Sequence, residues 1–559
     1  MSEKTGRSAI IEQFLADGLD HMFGNPGTVE QGFLDTLADY PRMKYILTLQ
    51  ESIAVLMGDG YARATKRPAL VQIHSTPGLG NAIGAIYQAW RGHAPLVVIG
   101  GDAGIKYQPM DAQMAGDLVA FARPVTKWAT MAQDPRSLLR VVRRAIKIAA
   151  TPPMGPVYVC LPADVLDEPC PEEIFPTSIP STRVVPEAEA VNCAAAWLSS
   201  AEKPMIFIGN GVAYSGAQEE VAWVAELIGA EVWEVDAGEL NLSYAHPLYQ
   251  GQTGHMFGMG SRPITTKGDV NLVVGTYMVP EVFPDLGGIF APSSKCIHVD
   301  LDAYEIAKNH PVDLGLISDP KLTLAAIALS IERTMSSAQR QTARDRGAQI
   351  GSDKKERISG QKAEDQKRSA NAPLRASTFM EALAKALPKD AVVFDEALTS
   401  SPELTRYIVP TVVNRFFQTR GGSLGVGIPG ALAAKLAYPS STVVGFTGDG
   451  GSMYTIQALW TAAHHRIGAK FVICNNRSYK LLELNILQYW KELGITGRDF
   501  PRPFVLDDPN IDFAAISASM GVPAVRVEKA AEVGPAIERM LADDGPFLVD
   551  LVIAPVSPG

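Results

Sequence analysis

Short apolar runs alternate with helical periodicity along most of the chain. Near the start, Ile10, Ile11, Phe14, Leu15 and Leu19 share one face of a helix predicted over Ser8 to Leu19, and the apolar DHMFG then meets the tight turn GNPG. YILTLQ precedes a helix beginning at Glu51, ALVQIHS precedes GLGNAIGAIYQAW, and PLVVIGG and PVYVCLP follow. Runs of this length, apolar throughout and separated by helices, predict strands of a parallel sheet buried on both faces. From about Pro186 the pattern restarts with PMIFIGNG, AEVWEVD, VNLVVGT and KCIHVDLD; after Leu374 it restarts again with AVVFDEALTS, STVVGFTGDGGS, AKFVICNN and PFLVDLVIA. The predicted fold class is α/β, with three doubly wound parallel-sheet domains at 1–180, 186–332 and 373–559. Residues 333–372 are rich in charge and nearly free of large apolar side chains, so they read as an exposed linker, with room for a solvated helix.

A length of 559 residues suits several domains, and 47% hydrophobic residues supply their cores. The net charge of -10 argues against a nucleic-acid or anionic-membrane partner. Cys160, Cys170, Cys193, Cys296 and Cys474 have neither CxxC nor metal-type spacing, which points away from disulfides and zinc and towards a reducing, cytoplasmic location. No signal-peptide pattern and no apolar run of about 18 residues is present, so a soluble protein is expected.

The candidate chemistry gathers first in GDGGSMYTIQALWTAAHHRIGAKFVICNN. The pattern predicts a strand, a turn carrying Asp449, a helix from Met453, and a second strand ending in Asn475 and Asn476. Neighbouring strand tips in a parallel sheet lie close together, so Asp449 and Asn476, 27 residues apart, can reach a common ion. One carboxylate and one amide oxygen suit Mg2+, which completes its octahedron with phosphate oxygens and water. Glycines around Asp449 allow backbone N–H groups to approach a phosphate at the start of the helix. Taken separately, GDG can be a helix cap and NN a loop turn; their spacing on successive strand ends is the more specific signal.

This combination resembles the thiamine diphosphate-dependent enzymes, and the three-domain cadence resembles their pyrimidine-binding, central and diphosphate-binding domains. The resemblance implies Mg2+ bound by Asp449, Asn476 and the Ser478 carbonyl. It also implies a cofactor site that includes Gly448, Gly450, Gly451, Thr399 and Tyr479. TLQESIAVLMGDGYARAT then supplies Glu51, at a helix start, in the position of the acid that bonds the cofactor's aminopyrimidine. A helix N-terminal acid is the structural alternative for Glu51.

Within that superfamily GNPGTVEQGFL, IHSTPGLGNAIGA and GGSLGVGIPGALAAKLA look like the benzoylformate decarboxylase group. The resemblance places Pro26 and Gly27 at the cofactor, Thr28 and His74 as catalytic pocket residues, the Gly422 carbonyl on the aminopyrimidine, and Leu424 as the wedge that bends the cofactor. TYMVPEVF offers no histidine where that group has a second one. Arg420, Leu482 and Glu483 fall at the substrate mouth by analogy, with a subunit or surface ion pair as the alternative for Arg420. HPLYQGQTGHMFG is more similar to acetolactate synthases, some of which bind FAD in the central domain, so FAD stays open there. The implied activity is non-oxidative decarboxylation of a 2-oxo acid with thiamine diphosphate as electron sink; a carboligase or acyl lyase is the alternative. The resemblance further implies a homodimer at least, usually a homotetramer.

Overall fold

The computed structural model describes residues 4–369 and 373–554. The end of the charged stretch, 370–372, and the chain ends at 1–3 and 555–559 lie outside the described residues. Each of the three sequence restarts builds one parallel six-stranded sheet. The first contains β1 (His21–Gly24), β2 (Lys44–Leu47), β3 (Ala69–Ile73), β4 (Leu96–Asp102), β5 (Trp128–Met131) and β6 (Val157–Pro162), in the order β2-β1-β3-β4-β6-β5. The second contains β7 (Pro204–Ile208), β8 (Glu231–Val235), β9 (Tyr249–Thr253), β10 (Val270–Val274), β11 (Lys295–Asp300) and β12 (Leu314–Ile317), in the order β12-β11-β10-β7-β8-β9. The third contains β13 (Val392–Glu396), β14 (Phe416–Gln418), β15 (Val443–Gly448), β16 (Lys470–Asn475), β17 (Ala524–Val527) and β18 (Phe547–Val552), in the order β14-β13-β15-β16-β18-β17.

The first and third sheets share one topology, and in both the strand order reverses beside the first strand, at β1/β3 and at β13/β15. Crevices beyond the carboxyl ends of strands at such a reversal are where open α/β sheets bind ligands. In the central sheet the reversal falls at β7/β10. There the glycines of GNGVAYSG serve close packing: a Cβ on Gly211 would lie 2.5 Å from Gly275 Cα.

By compactness the chain divides into one unit of residues 1–180, 369–404 and 419–559, and a second of 181–368 and 405–418. In the second unit the charged stretch forms a 32-residue helix, Ser337–Arg368, with Ala343 and Lys354 buried. Its long cations bond carbonyls of the central domain: Lys354 Nζ donates to Tyr244 O and His246 O, both at 2.7 Å, and Arg346 Nε donates to Gly229 O at 2.9 Å. Apolar stems under charged tips let a polar sequence pack in this way.

In the first unit the helix Glu51–Thr65 packs against the helix Gly427–Ala437, whose first eight residues are all buried. Small residues allow the approach, since a Cβ on Gly60 would sit 3.0 Å from Gly430 Cα. Around this contact Tyr438 Oη donates to Ala64 O at 2.7 Å and Leu47 N donates to His465 Nε2 at 2.8 Å. A Cβ on Gly430 would lie 2.4 Å from the ring of the fully buried Phe394. Gly430→Ala is therefore expected to destabilise this unit by about 1–3 kcal/mol through overpacking, read as a lower thermal midpoint for the variant than for the wild type.

Candidate functional site

At the β13/β15 reversal, register pairs Glu396 with Thr447, and Gly448 with Cys474 on β16. Asp449 follows at once, nearly buried and opening a helix of four residues, Asp449–Ser452; a separate helix, Ala458–His464, replaces the single helix predicted from Met453. Asp449 Oδ1 accepts from Gly450 N at 2.7 Å and Oδ2 from Arg477 N at 2.5 Å. The two strand tips picked out by spacing therefore meet. Burial raises the Asp449 pKa to about 6 against the pull of these N–H groups. The two asparagines divide their work. Asn475 Nδ2 is tied to Asp550 Oδ1 at 2.9 Å inside the sheet, while Asn476 sits at the tip and accepts from Ser478 N at 2.9 Å. Among the described residues no group of three or more His, Cys, Asp or Glu could hold a metal. A hard cation held by one carboxylate, one amide, a carbonyl and phosphate oxygens fits this donor set.

The glycines beside Asp449 have unlike surroundings. A Cβ on Gly448 would meet nothing within 4 Å, whereas one on Gly450 would lie 2.3 Å from the Tyr479 ring. Thr399 lies beyond β13, half-buried, next to Leu398 at φ 47°. The loop with Gly422 and Leu424 uses left-handed backbone at Gly421, Gly422 and Gly425. Ser423 N donates to Gln88 Oε1 of the helix Ser75–Arg91 at 3.2 Å. Glu396, which sequence reasoning passed over, pins the other end of the loop: its carboxylate accepts from Gly425 N at 2.6 Å, Gly427 N at 2.7 Å and Thr447 Oγ1 at 3.0 Å.

The β1/β3 reversal gathers the second group. Glu51 opens the helix Glu51–Thr65 behind Gln50, whose side chain accepts from Ser52 N. It is buried and accepts from Asn81 Nδ2 at 3.0 Å. Pro26, Gly27 and Thr28 follow β1, with Thr28 exposed. His74 occupies the position before the helix Ser75–Arg91, and its ring fills the space where a Cβ on Gly27 would lie, 2.2 Å away. Its Nδ1 lies 2.9 Å from Glu30 Oε2, which also accepts from Gly27 N at 2.9 Å. Glu30 is the second residue that sequence reasoning missed. Glu30 stands just before the helix Gln31–Leu37 and bonds back to the Gly27 N–H, and an acid at a helix start was the available signal.

The three substrate-mouth residues separate. Leu482 is 41% exposed. Glu483 is buried, taking a hydrogen bond from Ser478 Oγ and one from Lys480 Nζ at 2.6 Å. Arg420 is buried in the first unit near His93, and burial first, then the Arg420 charge, hold the His93 pKa down to about 3.

Three family descriptions cover the chain in order: thiamine pyrophosphate enzyme N-terminal TPP binding domain over residues 4–121, central domain over 191–327, and C-terminal TPP binding domain over 401–551. The chain is 29% identical to benzoylformate decarboxylase of Pseudomonas aeruginosa, covering 99% of this chain and 100% of that one. It is 28% identical to the acetolactate synthase large subunit of Corynebacterium glutamicum, covering 98% and 87%. In fold it is similar to the thiamine diphosphate-dependent 4-hydroxybenzoylformate decarboxylase of Rhodococcus jostii, with a TM-score of 0.84 and 24% identity over 99% of this chain and 100% of that one. With its three domains matched in order and its relatives aligned almost end to end, the chain belongs to the thiamine pyrophosphate enzyme family.

Proposed function

We propose that this enzyme is a Mg2+-dependent decarboxylase of 2-oxo acids, of the benzoylformate decarboxylase kind. Asp449, Asn476 and the Ser478 carbonyl would hold the ion. Gly448, Gly450, Gly451, Thr399 and Tyr479 would hold the diphosphate, and Pro26, Gly27, Gly422 and Leu424 would position the rings. When bound, thiamine diphosphate supplies the carbon nucleophile and the electron sink for loss of CO2. Glu51 would hold a proton against the aminopyrimidine nitrogen from a buried position that keeps water away. Thr28 and His74 would face the substrate, with His74 exchanging protons at Nε2.

The observation that carries the reading is His74 held by Glu30 at the β1/β3 reversal. A decarboxylase must deliver a proton to the product carbon, and a histidine fixed at Nδ1 presents its other nitrogen for that task. Glu51 and Asp449 lie in different domains, and the family resemblance supplies them from two subunits, so a homodimer is the smallest active form and a homotetramer the usual one. Among the described residues no helix is long and apolar enough to cross a membrane, and the five cysteines are free, which fits a cytoplasmic protein. A carboligase or acyl lyase is the second reading, favoured by the absence of histidine in TYMVPEVF and by the acetolactate synthase among its relatives.

Purified enzyme given benzoylformate, pyruvate and branched 2-oxo acids should release CO2 and aldehyde in equal amounts from an aromatic or branched acid. Acyloin or acetolactate as the main carbon product would transfer the assignment to the second reading. Glu51→Gln should lower kcat at least about 100-fold while thiamine diphosphate with Mg2+ still raises its thermal midpoint. Asp449→Ala should lose that stabilisation, which for the wild type amounts to about 2.7 kcal/mol at a hundred-fold excess of cofactor over Kd.

A further inference from the structure

The Glu30 carboxyl has two distinct surroundings. Oε2 serves His74 and Gly27. Oε1 faces Gly101, whose Cβ would lie 2.2 Å away, in the wall of a cavity of about 140 Å³ lined by Arg7, Glu30, Gln72, Gly101, Ala163 and Asp167 among others. Glu30 and Gln72 are 5% and 1% exposed, and Glu30 Oε1 and Gln72 Nε2 have no hydrogen-bond partner among the described residues. Roughly 15 Å³ of such space admits one water, so there is room for several, and two unsatisfied polar atoms give them partners. The mouth lies at Asp167, whose side chain is 59% exposed and 3.3 Å from Arg7.

We propose that Glu30 and this cavity form a water-filled proton inlet to His74. The inlet rests on the decarboxylase reading above, because replacing a carboxylate by hydrogen consumes one proton per turnover: 2-oxo carboxylate plus H+ gives aldehyde plus CO2. His74 gives that proton from Nε2 as Nδ1 takes one from the Glu30 carboxyl, and cavity water returns a proton to Glu30 at Oε1. Water then takes the proton from Nδ1 and gives one to Nε2, a net-neutral exchange that restores the starting tautomer. The titratable and charged groups facing Glu30 are His74, Tyr45, Tyr158 and, across the cavity, Arg7 and Asp167. Burial outweighs the histidine's pull and raises the Glu30 pKa, so the carboxyl carries a proton closer to neutrality than a solvated one does.

The tests use the full-length holoenzyme. A high-resolution crystal structure should show ordered water within hydrogen-bonding distance of Glu30 Oε1 and Gln72 Nε2; a dry cavity overturns the inlet whatever the substrate. Ala163→Leu puts an apolar side chain into the cavity and leaves the bonds of Glu30 intact. It should lower kcat about ten-fold or more, with KM and cofactor affinity kept. Glu30→Gln keeps the acceptor for Gly27 and removes the exchangeable proton, and it should lower kcat further and flatten the pH–rate profile. Unchanged kcat in a folded Ala163→Leu enzyme overturns the proposal, even if Glu30→Gln does not fold. If no 2-oxo acid is turned over, the decarboxylase reading fails by itself. The inlet is then judged by exchange of the His74 ring proton with solvent in protein carrying 15N-histidine: slowing of about ten-fold in Ala163→Leu supports it, and an unchanged rate overturns it.

Discussion

Everything in the third domain's site hangs from the buried carboxylate of Glu396. It ends β13 at the strand-order reversal and accepts from two backbone N–H groups at the start of the helix Gly427–Ala437 and from Thr447 on the neighbouring strand. Burial raises its pKa while the N–H groups pull it down. A carboxylate taken out of water must be repaid by such donors. The contact ties the loop of Gly422 and Leu424 to the strand end that precedes Asp449 by two residues. The turn that carries Asp449 and the loop of Gly422 and Leu424 therefore share one rigid reference. Positioning of this kind matters because small misplacements of reacting groups are costly in rate.

The first domain repeats the arrangement with different chemistry. The same strand order places two loops, after β1 and β3, over one crevice, and again a buried glutamate, Glu30, bridges them. Here one of the groups it holds is the side chain of His74, so the bridge reaches a group able to exchange protons. At the central sheet's own reversal Gly209, Gly211 and Gly275 bring backbone against backbone. The shared topology of the first and third sheets thus produces two different outcomes, decided by which residues terminate the strands at the reversal.

The strands legible in the sequence were those with neighbours on both sides. Apart from β2, every edge strand, namely β5, β9, β12, β14 and β17, went unread. Edge strands here are short or partly exposed: β5 has no buried residue and β9 reads YQGQT. They owe their conformation to the neighbour they pair with rather than to their own pattern. The site shows the same division. Asp449, Asn476 and Glu51 could be singled out because they stand in local motifs at strand and helix ends. Glu30 and Glu396 could not be assigned their partners, because His74 lies 44 residues and Gly427 31 residues further along the chain. The charged stretch shows the limit of composition: few large apolar residues fit a linker and a surface helix equally, and only the carbonyls it meets at 229, 244 and 246 decide between them.

Substrate choice, on the proposed reading, follows from how the polar residues near the site are already engaged. Glu483 is buried between Lys480 and Ser478, so it braces the loop that carries Asn476 and is not held out to a substrate. Arg420 is buried beside His93 and the charge it carries is felt there. Removing either from its surroundings to meet a charged substrate would leave a buried ion or hydrogen-bonding group uncompensated, a cost of several kcal/mol. What stays accessible is the exposed Thr28 hydroxyl, the apolar Leu482 and the His74 ring. On the proposed reading these groups would meet a 2-oxo acid whose remaining substituent is uncharged and apolar, because only its carboxylate and keto oxygen then need polar partners.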